Sequence, residues 1–409
     1  MGEVYRRQSL PTIDLSDPDL WSQGFPHQLF AQLRADAPIF RHEPTPGALE
    51  QVDRPFWICT KHEHARRIHR DVESFTATDG PLIQSSDVFT SQRSIIVMDP
   101  PELTKRRNIL SRTFTPRAVA KLEAAIRERA EAYVDELLEA GGGDWVTDVA
   151  HRLPMNVIGD IVGVPDEDRS HVFGLVDEVL HNPGIDTSFL ETYQYASELT
   201  RRKREHPTDD IWSELCTTVY ADKDGSDFRF EQAELEVFFF ILSLAGSDTT
   251  RNSLTVGLQA FVERPDQLRR YQREPDVRGS AVEEVIRWAT PLNYWVRGAR
   301  RDLELDGEKI NAGDRVVAVL ASANRDEEVF DDPFRFDVSR SPNPHVGFGG
   351  GGPHHCLGAM LARSEMRVAF DEFLLRAKRI EIGPAVTTYP TLFHPMAVNH
   401  SLPLRVEAV

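Results

Sequence analysis

Cysteine is scarce in this chain: Cys59, Cys216 and Cys356 are the only three in 409 residues. An odd, widely spaced set offers neither a disulfide framework nor a CxxC metal pair, and it fits a reducing compartment. Long apolar runs are missing too. The longest, residues 237–246, is about half of the roughly 20 residues that span a bilayer. Residues 1–20 contain no apolar run of signal-peptide length, so a cytoplasmic protein is expected. Positive charge is in deficit, because 47 Lys plus Arg stand against 65 Asp plus Glu, a net of −18. That field repels a phosphate backbone and excludes nucleic acid as an expected partner. Neither an internal repeat nor a Pro/Gly/Ser linker divides the sequence, which predicts one domain over 1–409. No GxGxxG follows a strand and opens a helix. Without a flavin or nicotinamide fingerprint, electrons for any redox chemistry must come from another protein.

What is present is helical periodicity. Segments 26–37, 100–114, 117–140, 166–180, 188–204, 231–263, 277–288 and 358–375 suit amphipathic or buried helices. Pro100 and Pro101 look like first-turn residues, and Pro265 stops the long helix. Strand signals are fewer, at 56–60, 294–300, 315–320 and near both ends of the last 30 residues. The expected architecture is mainly α with small β-sheets. Two long irregular segments, 78–97 and 339–356, exceed the usual connection length and are candidates for function.

The second of these ends in FGGGGPHHCLG, residues 348–358, followed directly by the helical AMLARSE. A thiol just before a helix start meets backbone N–H donors and the positive dipole end, which favour thiolate. Four successive glycines let the main chain approach something flat and large. In the long helix, AGSDTT (245–250) breaks an apolar wall with an acid and a hydroxyl side by side. Burying Asp248 there is costly unless it has a task. EVIR (284–287) puts Glu284 and Arg287 on one helical face, and DDPFRFD (331–337) follows about fifty residues later.

Together these strings resemble the cytochrome P450 superfamily, over residues 100–356 in the family's order. The resemblance implies the P450 fold, with haem between the long central helix and the cysteine-loop helix. It makes Cys356 the thiolate ligand of haem b iron, in a loop bounded by Phe348 and Gly358. Ala245, Gly246, Asp248 and Thr249 fall on the oxygen groove and proton relay, with Gly246 leaving room for dioxygen. Glu284, Arg287 and Arg335 fall on a structural triad behind the haem. Arg107, Arg297 and His354 fall on propionate-binding positions. Leu103 stands where the DPPEHxxxR pattern has His, so one propionate contact is expected to be lost or replaced. The cysteine loop is one residue longer than the commonest form, which resembles an actinobacterial subgroup acting on sterol side chains and methyl-branched lipids.

The implied activity is monooxygenation of an apolar substrate by O2, with electrons from a ferredoxin and a ferredoxin reductase using NAD(P)H. A run of cations, Lys105, Arg106, Arg107, Arg112 and Arg117, would steer an acidic ferredoxin. The segments that line the substrate pocket in similar proteins put Phe89, Val97, Leu242, Leu292, Tyr294, Val296, Phe393 and Met396 in its wall. Two other classes keep the cysteine and the fold. A non-catalytic haem-binding sensor would not need the acid–alcohol pair, and a peroxide-driven enzyme would typically lose it and would not depend on ferredoxin.

Overall fold

The computed structural model describes residues 14–43, 52, 54–84, 93–181, 186–221 and 227–409. Its axis is the helix Gln232–Glu263, whose run VFFFILSL is apolar on every side, so it is wrapped by other helices and not laid on a surface. It starts with a capping box, Glu231 and Glu234 each satisfying the other's backbone, and it stops where Pro265 opens the next helix. Helices Arg152–Val162, Asp186–Glu205, Arg278–Ala289 and Ala359–Leu374 pack around it. Gly257 lets two of them come close, since a Cβ there would meet Phe370 at 2.7 Å and Val285 at 2.9 Å.

A five-stranded sheet stands at one side, in the order Ile39–His42, Phe56–Cys59, Arg315–Ala318, Trp295–Ala299, Phe75–Thr76. Its alternating side chains feed two cores. Ile58, Tyr294, Val296 and Val317 join Trp21 and Phe30 on one face, and Trp57, Val316 and Ala318 join Ile68 and Leu305 on the other. The largest core lies in the helical body, around Trp145, Phe261 and Phe370.

The predicted α-rich layout with small sheets is what forms. The helix expected over 100–114 is shorter, because Pro101 caps Glu102–Leu110 from outside and the chain then turns. The helices His62–Arg70, Arg152–Val162 and Pro265–Arg273 were not predicted. The first is HEHARRIHR, too polar for an apolar stripe; it is held by burying His62, His64, Ala65, Ile68 and His69.

Candidate active site

Between the long helix and Ala359–Leu374 lies a cavity with about 1430 Å³ of empty space including its mouth. Cys356 is on its wall together with Phe348, His354 and Gly358. The cysteine loop is closed by Cys356 N–H donating to Phe348 O at 3.0 Å. It is held from behind by Arg70 Nε, which donates to Gly350 O at 2.9 Å, and by Arg107 Nη2, which donates to His355 O at 2.5 Å. Glycine is required at 350 and 352, where a Cβ would collide with the backbone carbonyls of Ala65 and His69. The loop thus lies flush on His62–Arg70, the helix that polarity had hidden.

Burial pushes the Cys356 thiol above its ordinary range, opposed by the Gly358 N–H and the charges of Arg107 and Arg363. The Cys356 side chain is open to the cavity, and the Gly358 N–H is the help expected from the helix start. Cys59 and Cys216 are elsewhere, in Phe56–Cys59 and Ile211–Thr217, and burial raises both thiols.

Arg107, His69 and His354 are on the cavity wall, and Arg297, though not on the wall itself, is close enough to lower both histidines. Arg297 is 2% exposed, and its Nη1 donates to Val296 O at 2.7 Å while Nη2 has no hydrogen-bond partner among the described residues. Burial lowers this guanidinium to about 10. His354 Nε2 is likewise buried without a partner. Burial first, then Arg297, Arg107 and His69, push His354 down to about 3, so its ring is neutral at pH 7. His69 lines the same wall, its Nδ1 2.7 Å from Ala65 O, and burial lowers it to about 3. The two guanidiniums, Arg297 with a free N–H and Arg107, make this region suited to haem propionates, while each neutral ring has its one N–H turned to a backbone carbonyl, His69 to Ala65 and His354 to Met98. His69 was missed in the sequence, while Leu103 is buried in the core.

The long helix shows the cavity Leu242, Ala245, Gly246, Thr249, Thr250 and Ser253. Thr249 Oγ1 donates to Ala245 O at 2.8 Å. Gly246 lines the cavity, and a Cβ there would also meet Ile158 Cδ1 at 2.5 Å. Asp248 does not line the cavity. It is fully buried on another face, 2.7 Å from Arg251 Nη2. Burial raises its carboxyl to about 7 against the pull of Arg251. Glu365, also unpredicted, lines the cavity fully enclosed, with Oε2 lacking a partner among the described residues. Burial alone lifts it to about 8, so it keeps its proton at neutral pH.

The triad needs a correction. Glu284 and Arg287 form a bidentate pair at 2.7 and 2.8 Å, both wholly buried. The second guanidinium on Glu284 belongs to Arg340, at 3.1 Å, and not to Arg335. The Arg335 side chain is exposed, and its carbonyl accepts from Arg287 and Arg340.

The pocket wall also differs. Leu242 and Leu292 line the cavity, whereas Val97, Tyr294, Val296, Phe393 and Met396 do not. Strand parity is the cause for two of them: Tyr294 and Val296 face the Trp21 core, and their neighbour Trp295 is the one that reaches the cavity. Phe89 lies outside the described residues. Ile95, Ile96, Phe114, Phe238 and Ile241 complete an apolar lining. Of the five-cation run, Arg106 is paired with Glu234 and Glu102, Lys105 sits over Phe228 and Arg107 faces the cavity. Arg112 and Arg117 remain exposed. No helix among the described residues is long and apolar enough to cross a membrane.

The family model described as Cytochrome P450 matches residues 188–408. The chain is 39% identical to a steroid C26-monooxygenase of Rhodococcus jostii, over 88% of this chain and 77% of that one. It is 38% identical to a methyl-branched lipid omega-hydroxylase of Mycobacterium bovis, over 88% and 87%. A Mycobacterium marinum cytochrome P450 in complex with pseudoionone superposes with a TM-score of 0.87 at 38% identity, covering 96% of this chain and 98% of that one.

Proposed function

Because this chain belongs to the cytochrome P450 family, whose cofactor is haem b and whose co-substrate is O2, we propose that it hydroxylates an extended apolar substrate such as a methyl-branched lipid, an isoprenoid or a steroid side chain. The observation that carries this reading is one cavity bordered at once by Cys356, by Arg107, His69 and His354, by Thr249 and by an apolar wall. The whole chain acts as one domain around it.

When bound, the haem iron supplies the oxidising chemistry, and as a cation it selects the thiolate form of its sulfur ligand. Cys356 presents that sulfur from the wall. Arg297 Nη2 and Arg107 would receive the propionates, and His354 and His69 would join them, His69 in place of the contact that Leu103 cannot make, once the propionate charge draws a second proton onto each ring at Nε2. Thr249 would hold a water at its hydroxyl oxygen, and Asp248 would pass protons from solvent toward it. Walls of Leu242, Ile241, Phe238, Leu292 and Trp295 exclude bulk water and orient an apolar chain. Arg112 and Arg117 are the exposed cations on which an acidic ferredoxin, fed by an NAD(P)H-dependent reductase, would dock. The steroid and methyl-branched lipid relatives, and the terpenoid ketone pseudoionone in the M. marinum structure, support the same substrate class.

Two measurements test the reading. Spectral titration with fatty acids, branched terpenoids and sterols should give substrate-type shifts, and product should form with reduced ferredoxin and not with peroxide alone. Shifts confined to small polar compounds would overturn the substrate class, and peroxide-only turnover would overturn the ferredoxin. Cys356→Ser should lose the thiolate-type red shift of the reduced carbon monoxide complex, and retention of that shift would remove Cys356 as the ligand.

A further inference from the structure

The helix Arg278–Ala289 carries two adjacent acids, and only Glu284 serves the buried pair with Arg287. Glu283 is spent on the cysteine loop. Arg363 Nε donates to its Oε1 at 2.6 Å and Nη2 to its Oε2 at 2.9 Å, while Nη1 donates to Ala359 O at 3.3 Å. The guanidinium so fixed lies over the Phe348 ring, 4.5 Å from the centroid. Phe348 in turn lines the cavity, and its carbonyl accepts from Cys356 N–H at 3.0 Å. His345 closes the network. Its Nδ1 accepts from Gly347 N–H at 3.2 Å, so Nε2 carries the hydrogen and donates to Glu283 Oε2 at 2.9 Å. The His345 ring stands 5.9 Å from that of Phe348. Burial would raise Glu283, but the hydrogen bonds from His345 and Arg363 outweigh it and hold the carboxyl at about 2, an anion at neutral pH.

Arg363 differs from the exposed cations Arg112 and Arg117 in having every guanidinium nitrogen engaged within the chain. It is also absent from the cavity wall and borders a separate surface groove with Met360 and Val368, so its substitution leaves the propionate region intact. Burial raises the Cys356 thiol, and Arg363 is one of the groups, with Gly358 N–H and Arg107, that pull against it.

We infer that Arg363 is a positioning residue for the iron ligand: fastened by Glu283 and His345, it pins the Phe348 ring and keeps one fixed positive charge near the Cys356 sulfur, raising the reduction potential of the haem iron. A nearby cation favours the state with one more electron, so the charge eases the first reduction and tempers electron donation by the thiolate. Glu283 sets the strength of that charge as well as its place, because it is the counter-charge. The inference rests on the haem-thiolate reading.

Spectroelectrochemical titration of the haem-loaded protein reads this without turnover, in Arg363→Gln, Arg363→Lys and Glu283→Gln. Removing the cation in Arg363→Gln should lower the ratio of ferrous to ferric haem at a fixed applied potential roughly 10-fold, the weight of one partly screened unit charge. Arg363→Lys keeps the charge without the fork and should recover most of that loss. Glu283→Gln removes the counter-charge and should move the ratio the other way. If Arg363→Gln takes up no haem, the other two variants still decide, by a ratio near that of the wild type in one and a raised ratio in the other. Melting temperatures that fall while the potentials stay at the wild-type value would make the network a brace between helices and overturn the inference. A raised KM for reduced ferredoxin in Arg363→Gln, again with unchanged potential, would make Arg363 a docking cation and overturn it equally. Those results leave the haem-thiolate reading standing as long as the variants keep the thiolate-type red shift of the reduced carbon monoxide complex. A wild type lacking that shift would overturn the reading itself, and this inference with it.

Discussion

Two helices of this protein each bury an acid and an arginine at i, i+3 spacing, and the two pairs are built for opposite purposes. Glu284–Arg287 is bidentate, and every side of it is filled. Arg287 also donates to the carbonyls of Asn324, Pro333 and Arg335, and Glu284 also accepts from Asp337 N–H, Arg340 and Asn343. In Asp248–Arg251, Nη2 meets the acid at 2.7 Å while a second acid, Asp177, lies 3.7 Å from Nη1 and is partly exposed. Spacing in sequence creates the same pair twice. The surroundings decide whether it locks a scaffold or can open.

Breaking the locked pair should have the largest effect. Arg287→Ala or Glu284→Ala strands one buried charge, at a cost of about 3–5 kcal/mol, against a typical total stability of about 5–15 kcal/mol. The expected result is aggregate or haem-free protein, checked by the ratio of haem to protein absorbance after purification. A soluble variant with full haem content would mean that the two pairs do not differ in kind.

Breaking the open pair should leave a folded protein with damaged chemistry. Asp248→Asn should slow product formation about 10²- to 10⁴-fold, the usual worth of general acid–base assistance, with little change in substrate affinity. Thr249→Ala should keep haem and substrate binding but divert reductant to peroxide. Product, peroxide and reductant consumed under saturating substrate measure both. The same variant sharpens the comparison through pH. Burial lifts Asp248 from 3.8 to about 7, so between those values the native state holds a proton that the unfolded chain has released. Stability falls as pH rises through that window, and Asp248→Asn should flatten the fall. Melting temperature between pH 5 and pH 8 reads it; equal slopes in both proteins would place the titration elsewhere.

These pairs also mark what could be read from residues alone. The glycine string located Cys356 because its cause is local: backbone must pass close to Ala65 and His69, and only glycine fits. The apolar run located the long helix, and AGSDTT located the cavity-facing Thr249. Side-chain direction was not legible. Tyr294 and Val296 were chosen where the strand's parity presents Trp295. His69 and Glu365 sit in polar strings, HEHARRIHR and LARSE, that look like solvent-facing helix, and only the packing of the cysteine loop and of Ala359–Leu374 buries them.

The smallest expected effect tests the choice between Arg335 and Arg340. Sequence spacing placed Arg335 in the triad, since DDPFRFD sits at the family's distance from EVIR, yet its guanidinium is exposed and only its carbonyl takes part. Substituting the side chain leaves that carbonyl in place, so Arg335→Ala should change stability by no more than about 0.5 kcal/mol, the usual range for surface positions. Arg340 is different. Its guanidinium reaches Glu284 at 3.1 Å and also donates to the carbonyls of Asp331, Asp332 and Arg335, tying the segment to the buried acid. Arg340→Ala leaves Glu284 with Arg287 still in place, so its cost should be about 1–3 kcal/mol, that of hydrogen bonds to a buried charge. Chemical denaturation of the two haem-loaded variants side by side separates the assignments: a larger loss for Arg335→Ala than for Arg340→Ala would restore the triad expected from the sequence.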